Sequence, residues 1–394
     1  MAEENNKKTY SRRAFLGVSG SAAIGGVVGG IVMGGLAGYF AAQTTQPPPK
    51  TVTVGGQTIT ATVTQTVKEV GEMVGRRLST AVVVPGRSND VGWNQRGVDS
   101  LRKAAQKFRA DFYFSENLGY GEAPLRAMQD YIRRGVDLVF AHASGYRTQV
   151  IDIVKNNQNG KTKFLIVAAK VGEDLVPGAL ATYNVLPAET AYAAGYLAGL
   201  VTRNNVIGIV QSVETSTFWL RTSGGFVQGV KAANPNARVL FSVLGTFEDA
   251  VKGKEFTLGQ IDQGADVIFG LGDGATYGML EAVSERNVWF IDVIGDKRAV
   301  DTKGIILTSV LWDFTPALEE AIADIYNGTF GRYNYDLSIK NNAIQLMEIN
   351  KKISADIRSE VAEIVQKLQD GNIKVRLTST TDEFYALMRE LGYR

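Results

Sequence analysis

Residues 135–146 read Gly-Val-Asp-Leu-Val-Phe-Ala-His-Ala-Ser-Gly-Tyr, and residues 264–275 read Gly-Ala-Asp-Val-Ile-Phe-Gly-Leu-Gly-Asp-Gly-Ala. In each copy a short apolar run, 138–141 or 267–270, ends in a glycine-containing loop that leads into a helix-like stretch. Apolar runs of this length between helical periods are typical of buried parallel strands in βαβ units. The repetition therefore predicts two similar α/β lobes.

Strands and helices alternate along the chain from residue 78. The other predicted strands lie at 79–85, 111–115, 163–168, 206–210, 238–243, 288–293 and 305–311. This alternation predicts two doubly wound parallel sheets covered by helices, and small residues near 193–199 predict a closely packed helix. We expect lobe one to span about 78–185 and 305–335, and lobe two about 186–304 and 336–394.

The loops after the repeated strands are the first candidates for a ligand site. Ligands of open α/β sheets bind beyond the carboxyl ends of the strands, which predicts a cleft between the lobes. The first copy offers Ser144 and Tyr146 there, and the second offers Gly272 and Asp273. Because the strands repeat and the loops differ, we expect an unsymmetrical ligand.

The composition excludes several classes of function. The 42 basic and 40 acidic residues give a net charge of +2, and no basic block follows the extreme N-terminus, so we expect no nucleic-acid partner. Cysteine is absent and histidine occurs once, at His142, which excludes thiolate chemistry and multi-histidine metal sites. We expect His142 to be a packed residue, with ligand contact as the alternative. The protein is expected to have no catalytic residue, no metal and no cofactor.

The N-terminus has the features of a targeting segment. Ser11-Arg12-Arg13-Ala14-Phe15-Leu16 resembles a twin-arginine export signal, and residues 14–42 carry no charge. That stretch is long enough to span a bilayer, so we expect residues 1–43 to be an uncleaved anchor, with a cleaved signal peptide as the alternative. The Pro- and Thr-rich segment 44–77 is expected to be an extended stalk. The remaining domain, 78–394, would then lie on the extracytoplasmic side of the cell membrane.

A short motif follows the first predicted strand, and it reads Asn89-Asp90-Val91-Gly92-Trp93-Asn94. Asp or Asn at this position can cap the following helix, whereas a Trp is poorly explained by capping. An aromatic face beside an Asp and an Asn suits a planar ligand that forms hydrogen bonds.

This motif resembles the Asp-x-Gly-(Trp/Phe)-Asn opening of the basic membrane protein (PnrA-like) family. The likeness continues in the family's order through 189–199, 224–229, 245–255, 264–269 and 308–311, and so covers about residues 78–350. Members of the family are nucleoside-binding proteins of ABC importers with a type I periplasmic-binding fold. The resemblance therefore implies that fold, with the ligand between the lobes.

The resemblance also implies roles for residues of the two lobes. The family's first-loop aromatic stacks on the base, which corresponds to Trp93, with Asp90 and Asn94 as hydrogen-bonding neighbours. Base–aromatic stacking contributes about 1–3 kcal/mol. Phe218 and Trp219 are expected to cover the opposite face of the base, with core packing as the alternative.

The loops of the repeat take their roles from the same resemblance. Gly272 and Asp273 match the family's glycine-rich loop, where backbone and carboxylate approach the ligand. The alternative for Asp273 is an exposed turn residue without a ligand contact. Ser144 and Tyr146 occupy the equivalent loop of lobe one.

The sequence departs from the family at two positions. The residue corresponding to the family's ribose-binding Asp is Ile294, which leaves Asp296 as an approximate substitute. The residue corresponding to the family's Lys after Thr-Ser-x-Leu is Trp312. Loss of an Asp and a Lys favours a free base or another heterocycle over a nucleoside.

We therefore expect an extracytoplasmic solute-binding protein that binds a purine nucleoside or related heterocycle. Its lobes would close on the ligand by hinge motion, and the monomer would dock on an ABC permease. The alternatives are a sugar- or other small-molecule-binding receptor or sensor of the same fold, and a nucleoside hydrolase.

Overall fold

The computed structural model describes residues 76–168 and 175–393, together with the backbone of Val52–Val54 and Gln57–Ile59. Arg77–Arg394 form one compact unit. The predicted export signal and anchor at 1–43 lie outside the described residues. Within the described part of the chain, none of the helices combines the length and the hydropathy needed to span a bilayer.

The segment before this unit contains a short hairpin. Strands β1 (Val52–Val54) and β2 (Gln57–Ile59) pair antiparallel, with Val52 opposite Ile59. These two strands lie within the segment 44–77, for which an extended stalk was predicted.

The sheet of lobe one is parallel throughout. Its strands are β3 (Ser79–Val83), β4 (Asp111–Ser115), β5 (Leu138–Ala141), β6 (Lys163–Val167), β7 (Leu180–Leu186) and β13 (Asn334–Ser338). Their order in space is β13-β7-β6-β5-β3-β4. Helices α1 (Trp93–Lys107), α2 (Ala123–Arg133) and α3 (Arg147–Lys155) connect its first four strands.

The sheet of lobe two has the same plan, apart from one antiparallel edge strand. Its strands are β8 (Val206–Gln211), β9 (Arg238–Val243), β10 (Val267–Leu271), β11 (Trp289–Ile294), β12 (Ile306–Trp312) and β14 (Ile344–Leu346). Their order is β14-β12-β11-β10-β8-β9, and β14 runs antiparallel to β12. The helices of this lobe include α4 (Ala188–Val201), α5 (Thr217–Ala233), α6 (Ala250–Asp262) and α7 (Ala275–Arg286).

The repeated sequence stretches are β5 and β10, and they occupy equivalent positions. β5 lies between β6 and β3, and β10 lies between β11 and β8. Every residue of both strands is buried, as their uninterrupted apolar character predicts. The predicted fold class, two similar α/β lobes with doubly wound parallel sheets, is confirmed.

The last three α-helices of the described chain are divided between the two lobes. Helix α8 (Thr315–Tyr326) packs against α1 and β13 in lobe one, whereas α9 (Ala355–Gln369) packs on α4 and α10 (Thr381–Glu390) on α5 in lobe two. The chain crosses between the lobes after β7, β12 and β13.

The assignment of the strand at 305–311 to lobe one was wrong. β12 pairs in parallel with β11, with Ile306 beside Phe290, and so belongs to the sheet of lobe two. An apolar run in the sequence predicts a strand, but it does not specify which sheet that strand joins. Lobe one instead gains β13, whose alternating Asn-Tyr-Asp-Leu-Ser sequence is typical of an edge strand.

The small residues of α4 allow it to lie almost in backbone contact with α5. A Cβ atom at Gly195 would lie 2.0 Å from the carbonyl oxygen of Phe226, and one at Gly225 would lie 2.1 Å from that of Ala188. Only glycine fits such an approach, which accounts for the small-residue pattern of this helix pair.

Candidate ligand-binding site between the lobes

A cavity of about 720 Å³ lies between the two lobes. Its walls are the loops after β3, β4 and β5 in lobe one and after β8, β9 and β10 in lobe two, together with the last residues of β11 and β12. All of these are carboxyl ends of strands, where open α/β sheets bind ligands. The volume lies in the range of about 300–1,000 Å³ typical of small-molecule sites.

Most of the predicted binding residues line this cavity. They are Asp90, Trp93, Asn94, Ser144, Phe218, Trp219, Asp273 and Trp312.

The first residue of α1, Trp93, is held firmly in lobe one. Its indole lies parallel to the His142 ring, with centroids 4.1 Å apart and planes 5° apart. Its Nε1 donates a hydrogen bond to the His142 carbonyl oxygen at 2.9 Å. On the other lobe, the Phe218 ring lies 6.1 Å from the Trp93 ring at an angle of 28°. Trp93 is thus backed by His142, and its ring and that of Phe218 both line the cavity.

His142 is a packed residue and does not line the cavity. Its Nε2 lies 3.0 Å from the Trp93 carbonyl oxygen, which can only accept, so Nε2 carries the proton. Its Nδ1 accordingly accepts from the Tyr183 hydroxyl at 2.9 Å. Burial lowers the pKa of His142 to about 3. The imidazole is therefore neutral at physiological pH and serves as a platform for the Trp93 indole.

Asp90 and Asn94 line the cavity, but their polar groups are largely used within the loop. The Asp90 carboxylate accepts hydrogen bonds from the backbone amides of Gly92, Asn94 and Gln95 and from Asn94 Nδ2, at 2.7–3.0 Å. Asn94 Oδ1 accepts from the Gly86 amide at 3.0 Å. The capping interpretation of the Asp is therefore correct: the pair fixes the start of α1, and with it the Trp93 indole.

Three carboxylates gather along the cavity wall. Burial, followed by the charges of Asp90 and Glu248, raises the pKa of Asp273 to about 7. Burial and the charge of Asp90 likewise raise the pKa of Glu248. In the described ranges 76–168 and 175–393, no group of three potential ligand side chains is arranged to hold a metal ion. Glu248 and Asp273 are the two of these acids whose side chains can form hydrogen bonds with a ligand, because the Asp90 carboxylate is used within its own loop.

The two lobes touch at the rim of the cavity. The Trp93 amide donates to Asp273 Oδ1 at 3.3 Å, and the Tyr277 hydroxyl donates to the Asp90 carbonyl oxygen at 3.5 Å. A Cβ atom at Gly295 would lie 1.8 Å from the Val91 carbonyl oxygen. The structure is thus a closed arrangement in which a glycine permits the contact.

Three predicted site residues do not line the cavity. Tyr146 is fully buried in the core of lobe one, where its hydroxyl donates to the Gly119 carbonyl oxygen at 2.9 Å. Gly272 directly follows the buried end of β10 and is itself buried. Asp296 forms an ion pair with Arg298 at 2.7 Å, and this pairing lowers the pKa of Asp296. Proximity in sequence to a cleft loop was not sufficient to bring these residues into the site.

Sequence reasoning missed several residues that line the cavity. They are Arg87, Asn89, Asn117, Tyr120, Thr246, Phe247, Glu248 and Tyr277, among others. Most follow β3, β4 or β9, so the rule that was applied to the repeated strands would have found them if it had been applied to every predicted strand.

A comparison with known protein families identifies the family of this chain. A family model described as ABC transporter substrate-binding protein, PnrA-like, matches residues 78–378. The chain belongs to this family, as the sequence motifs predicted.

Named relatives match most of the chain at low identity. A transcriptional activator protein, Med, of Bacillus subtilis is 22% identical over 287 residues, which cover 72% of this chain and 86% of Med. An ABC transporter nucleoside-binding protein, BmpA, of Lactococcus lactis is 24% identical over 324 residues, which cover 76% of this chain and 89% of BmpA. The structure of an ABC transporter solute-binding protein from Conexibacter woesei superposes with a TM-score of 0.65 at 23% identity, over 76% of this chain and 99% of that one. At this identity the structural likeness shows the fold.

Proposed function

We propose that this chain is the extracytoplasmic solute-binding component of an ABC importer and binds a purine or a related planar heterocycle between its lobes. Membership of the family and the nucleoside-binding relative from Lactococcus lactis support this class of ligand. The observation that carries the proposal is the pair Trp93 and Phe218, which approach each other from opposite lobes at 6.1 Å.

The spacing of these two rings suits a planar ligand that becomes enclosed between them as the lobes close. A planar ring stacked between two others needs about 7 Å, twice a contact distance of about 3.5 Å. The observed separation is about 1 Å less than this. A small opening of the lobes would therefore admit one ring and give it two aromatic faces.

The rest of the cavity favours a free base or compact heterocycle over a nucleoside. Ile294 and Trp312 contribute apolar surface to the lining, and Asp296, the expected ribose partner, is paired with Arg298 instead. Ribose hydroxyls buried against this apolar surface would lack hydrogen-bond partners, which is unfavourable.

Isothermal titration of the protein with hypoxanthine, inosine and ribose tests the proposal. We expect both heterocycles to bind, hypoxanthine more tightly, and ribose not to bind. Binding of ribose alone would favour a sugar receptor. Chromatography of the ligand after incubation tests the hydrolase alternative, which requires that inosine be consumed.

Two aromatic variants test the stacking directly. Phe218→Ala and Trp93→Ala should each weaken binding of the heterocycle by about 1–3 kcal/mol, because each removes one stacking face. Phe256→Ala is the matched control, since this partly exposed phenylalanine lies on α6 and does not line the cavity. Equal affinities in all of these proteins would exclude the stacked geometry.

The tether and the importer partner belong to the same proposal. The uncharged stretch 14–42 behind a basic N-terminus supports an anchor that leaves the binding domain on the extracytoplasmic side. Membrane fractionation of the full chain and of a chain lacking residues 1–43 tests it. Recovery of the full chain in the aqueous fraction, shortened at its N-terminus, would favour a cleaved signal peptide.

A further inference from the structure

Two tryptophans meet at the wall of the cavity, and neither of their indole N–H groups is paired with an acceptor in the part of the chain that the structure describes. Trp219, in the first turn of α5, and Trp312, at the end of β12, both line the cavity, with ring centroids 5.5 Å apart. Their exposed fractions are 4% and 1%. Nε1 of each ring is buried without a hydrogen-bond acceptor among the described residues. Trp93 differs, since its Nε1 has the His142 carbonyl oxygen as its acceptor.

Unpaired buried donors are unfavourable, and two of them in contacting rings call for an explanation. Buried polar groups in folded proteins are nearly always paired, and a buried Trp usually has a partner for its N–H. One buried donor without an acceptor lowers the equilibrium constant for its state by about 5- to 150-fold. A ligand that enters as the lobes open slightly, and that brings an acceptor to these indoles, therefore recovers a free energy that the closed protein alone does not.

The charge of the cavity restricts what kind of acceptor this is. Its ionisable lining residues include the acids Asp90, Glu248 and Asp273 and one arginine, Arg87. Three acids and one base leave an excess of two negative charges when all are ionised, and of one when Asp273, whose pKa is raised to about 7, is protonated. A carboxylate or phosphate would be repelled there, whereas a neutral carbonyl oxygen would not.

We propose that Trp219 and Trp312 form a carbonyl-binding subsite, so that the ligand is an uncharged or cationic planar heterocycle bearing an oxo group. This inference rests on the proposed function and names the chemical class of its ligand. The ring stacks between Trp93 and Phe218, its N–H groups donate to Glu248 and Asp273, and its oxo group accepts from the two indoles.

Variants that remove only the indole donors test the subsite. In Trp312→Phe and Trp219→Phe an aromatic side chain remains while Nε1 is lost. Each should weaken hypoxanthine binding about 5- to 30-fold in isothermal titration of the full chain. Trp289→Phe is the control, because Trp289 lies at the start of β11 and does not line the cavity. It should leave the affinity unchanged.

A matched ligand gives a second measurement on the unaltered protein. In 6-mercaptopurine a sulfur atom, a weak acceptor, replaces the oxo group of hypoxanthine. We expect the unaltered protein to prefer hypoxanthine about 5-fold or more, and the two Phe variants to lose this preference. If thermal melting shows that a variant is unfolded, the ratio for the unaltered protein decides.

The possible failures are distinguishable. If hypoxanthine binds with the same affinity to the unaltered protein and to both folded Phe variants, or if 6-mercaptopurine binds equally well, the subsite is wrong and the proposed function stands. If neither hypoxanthine nor inosine binds, the proposed function is wrong, and the subsite with it.

Discussion

The backbone amide of Trp93 in lobe one donates a hydrogen bond across the cavity rim to Asp273 Oδ1 in lobe two, over 3.3 Å. The same carboxyl lies near Asp90 and Glu248, and its pKa is raised to about 7, mainly by burial. Lobe contact and the protonation of Asp273 are therefore coupled.

Asp273→Asn should stabilise the protein at alkaline pH. In the unfolded chain the carboxyl has an ordinary pKa, 3.8, so between pH 4 and 7 the folded state holds a proton that the unfolded state has lost. Folding is thus increasingly penalised as the pH rises through this window, and the full penalty applies above it. Asn resembles the protonated acid and avoids the penalty. Thermal melting should show a Tm raised by about 2–4 °C at pH 8 and little changed at pH 4.

Glu255→Gln is the matched control for this experiment, because Glu255 is an exposed acid on α6. Its Tm should differ from that of the unaltered protein by the same small amount at both pH values. A shift in Asp273→Asn that does not depend on pH would contradict the coupling.

The single histidine should not titrate in the physiological range. The pKa of His142 is lowered to about 3 by burial, so its NMR resonances should stay fixed from pH 8 to pH 5. Because the unfolded chain binds the proton more readily, this group removes stability as the pH falls from about 6.5 towards 3. Since the chain has one histidine, the ring signals need no further assignment. Trp93→Ala uncovers one face of the ring and should raise its pKa, whereas a midpoint near 6.5 in the unaltered protein would contradict the packing.

Gly295→Ala should hinder closure of the lobes without unfolding either one. The new methyl group would lie 1.8 Å from the Val91 carbonyl oxygen, which belongs to the other lobe's backbone and has no freedom to rotate away. We expect a larger radius of gyration in solution scattering and weaker binding of any ligand held between the lobes.

Gly259→Ala is the corresponding control. This glycine lies within α6, and a methyl group there would contact nothing within 4 Å. It should leave closure unchanged and stabilise the helix by about 0.5–1 kcal/mol. Equal radii for Gly295→Ala and the unaltered protein would show that the Val91 contact does not limit the lobes.

Lys297→Met should be strongly destabilising. Lys297 Nζ lies 3.1 Å from Asp292 Oδ1, and both side chains are fully buried. Removing one member of such a pair leaves a buried charge uncompensated and costs about 3–5 kcal/mol. Urea unfolding should detect this loss. The double variant Asp292→Leu/Lys297→Met should recover much of it, and a single-variant loss below about 1 kcal/mol would contradict the account.

The strands that could be predicted from the sequence are those that are continuously apolar. β5 and β10 are buried along their whole length, and their sequence is correspondingly apolar. β7 was missed because it carries Thr182 and Asn184. These side chains are paired with Asn334 and Asp336 of the adjacent strand β13, which is distant in sequence. A polar residue in a strand is acceptable only with such a partner, and the local sequence does not reveal it.

The site shows the same division between local and distant interactions. The four donors to Asp90 come from the next five residues, so its capping role was a local signal. The orientation of Tyr146 away from the cavity depends on Gly119, on another loop, which the sequence around Tyr146 could not reveal. Residues that depend on nearby partners were therefore interpretable from the sequence, and those that depend on a second loop were not.

Three of the chain's four tryptophans, Trp93, Trp219 and Trp312, line the cavity between the lobes. Most of the tryptophans of this protein therefore lie beside the proposed ligand site, and we expect its ultraviolet emission to change when that site is filled. Occupancy can be followed optically in solution, and in dilute samples, without attaching a label to any residue.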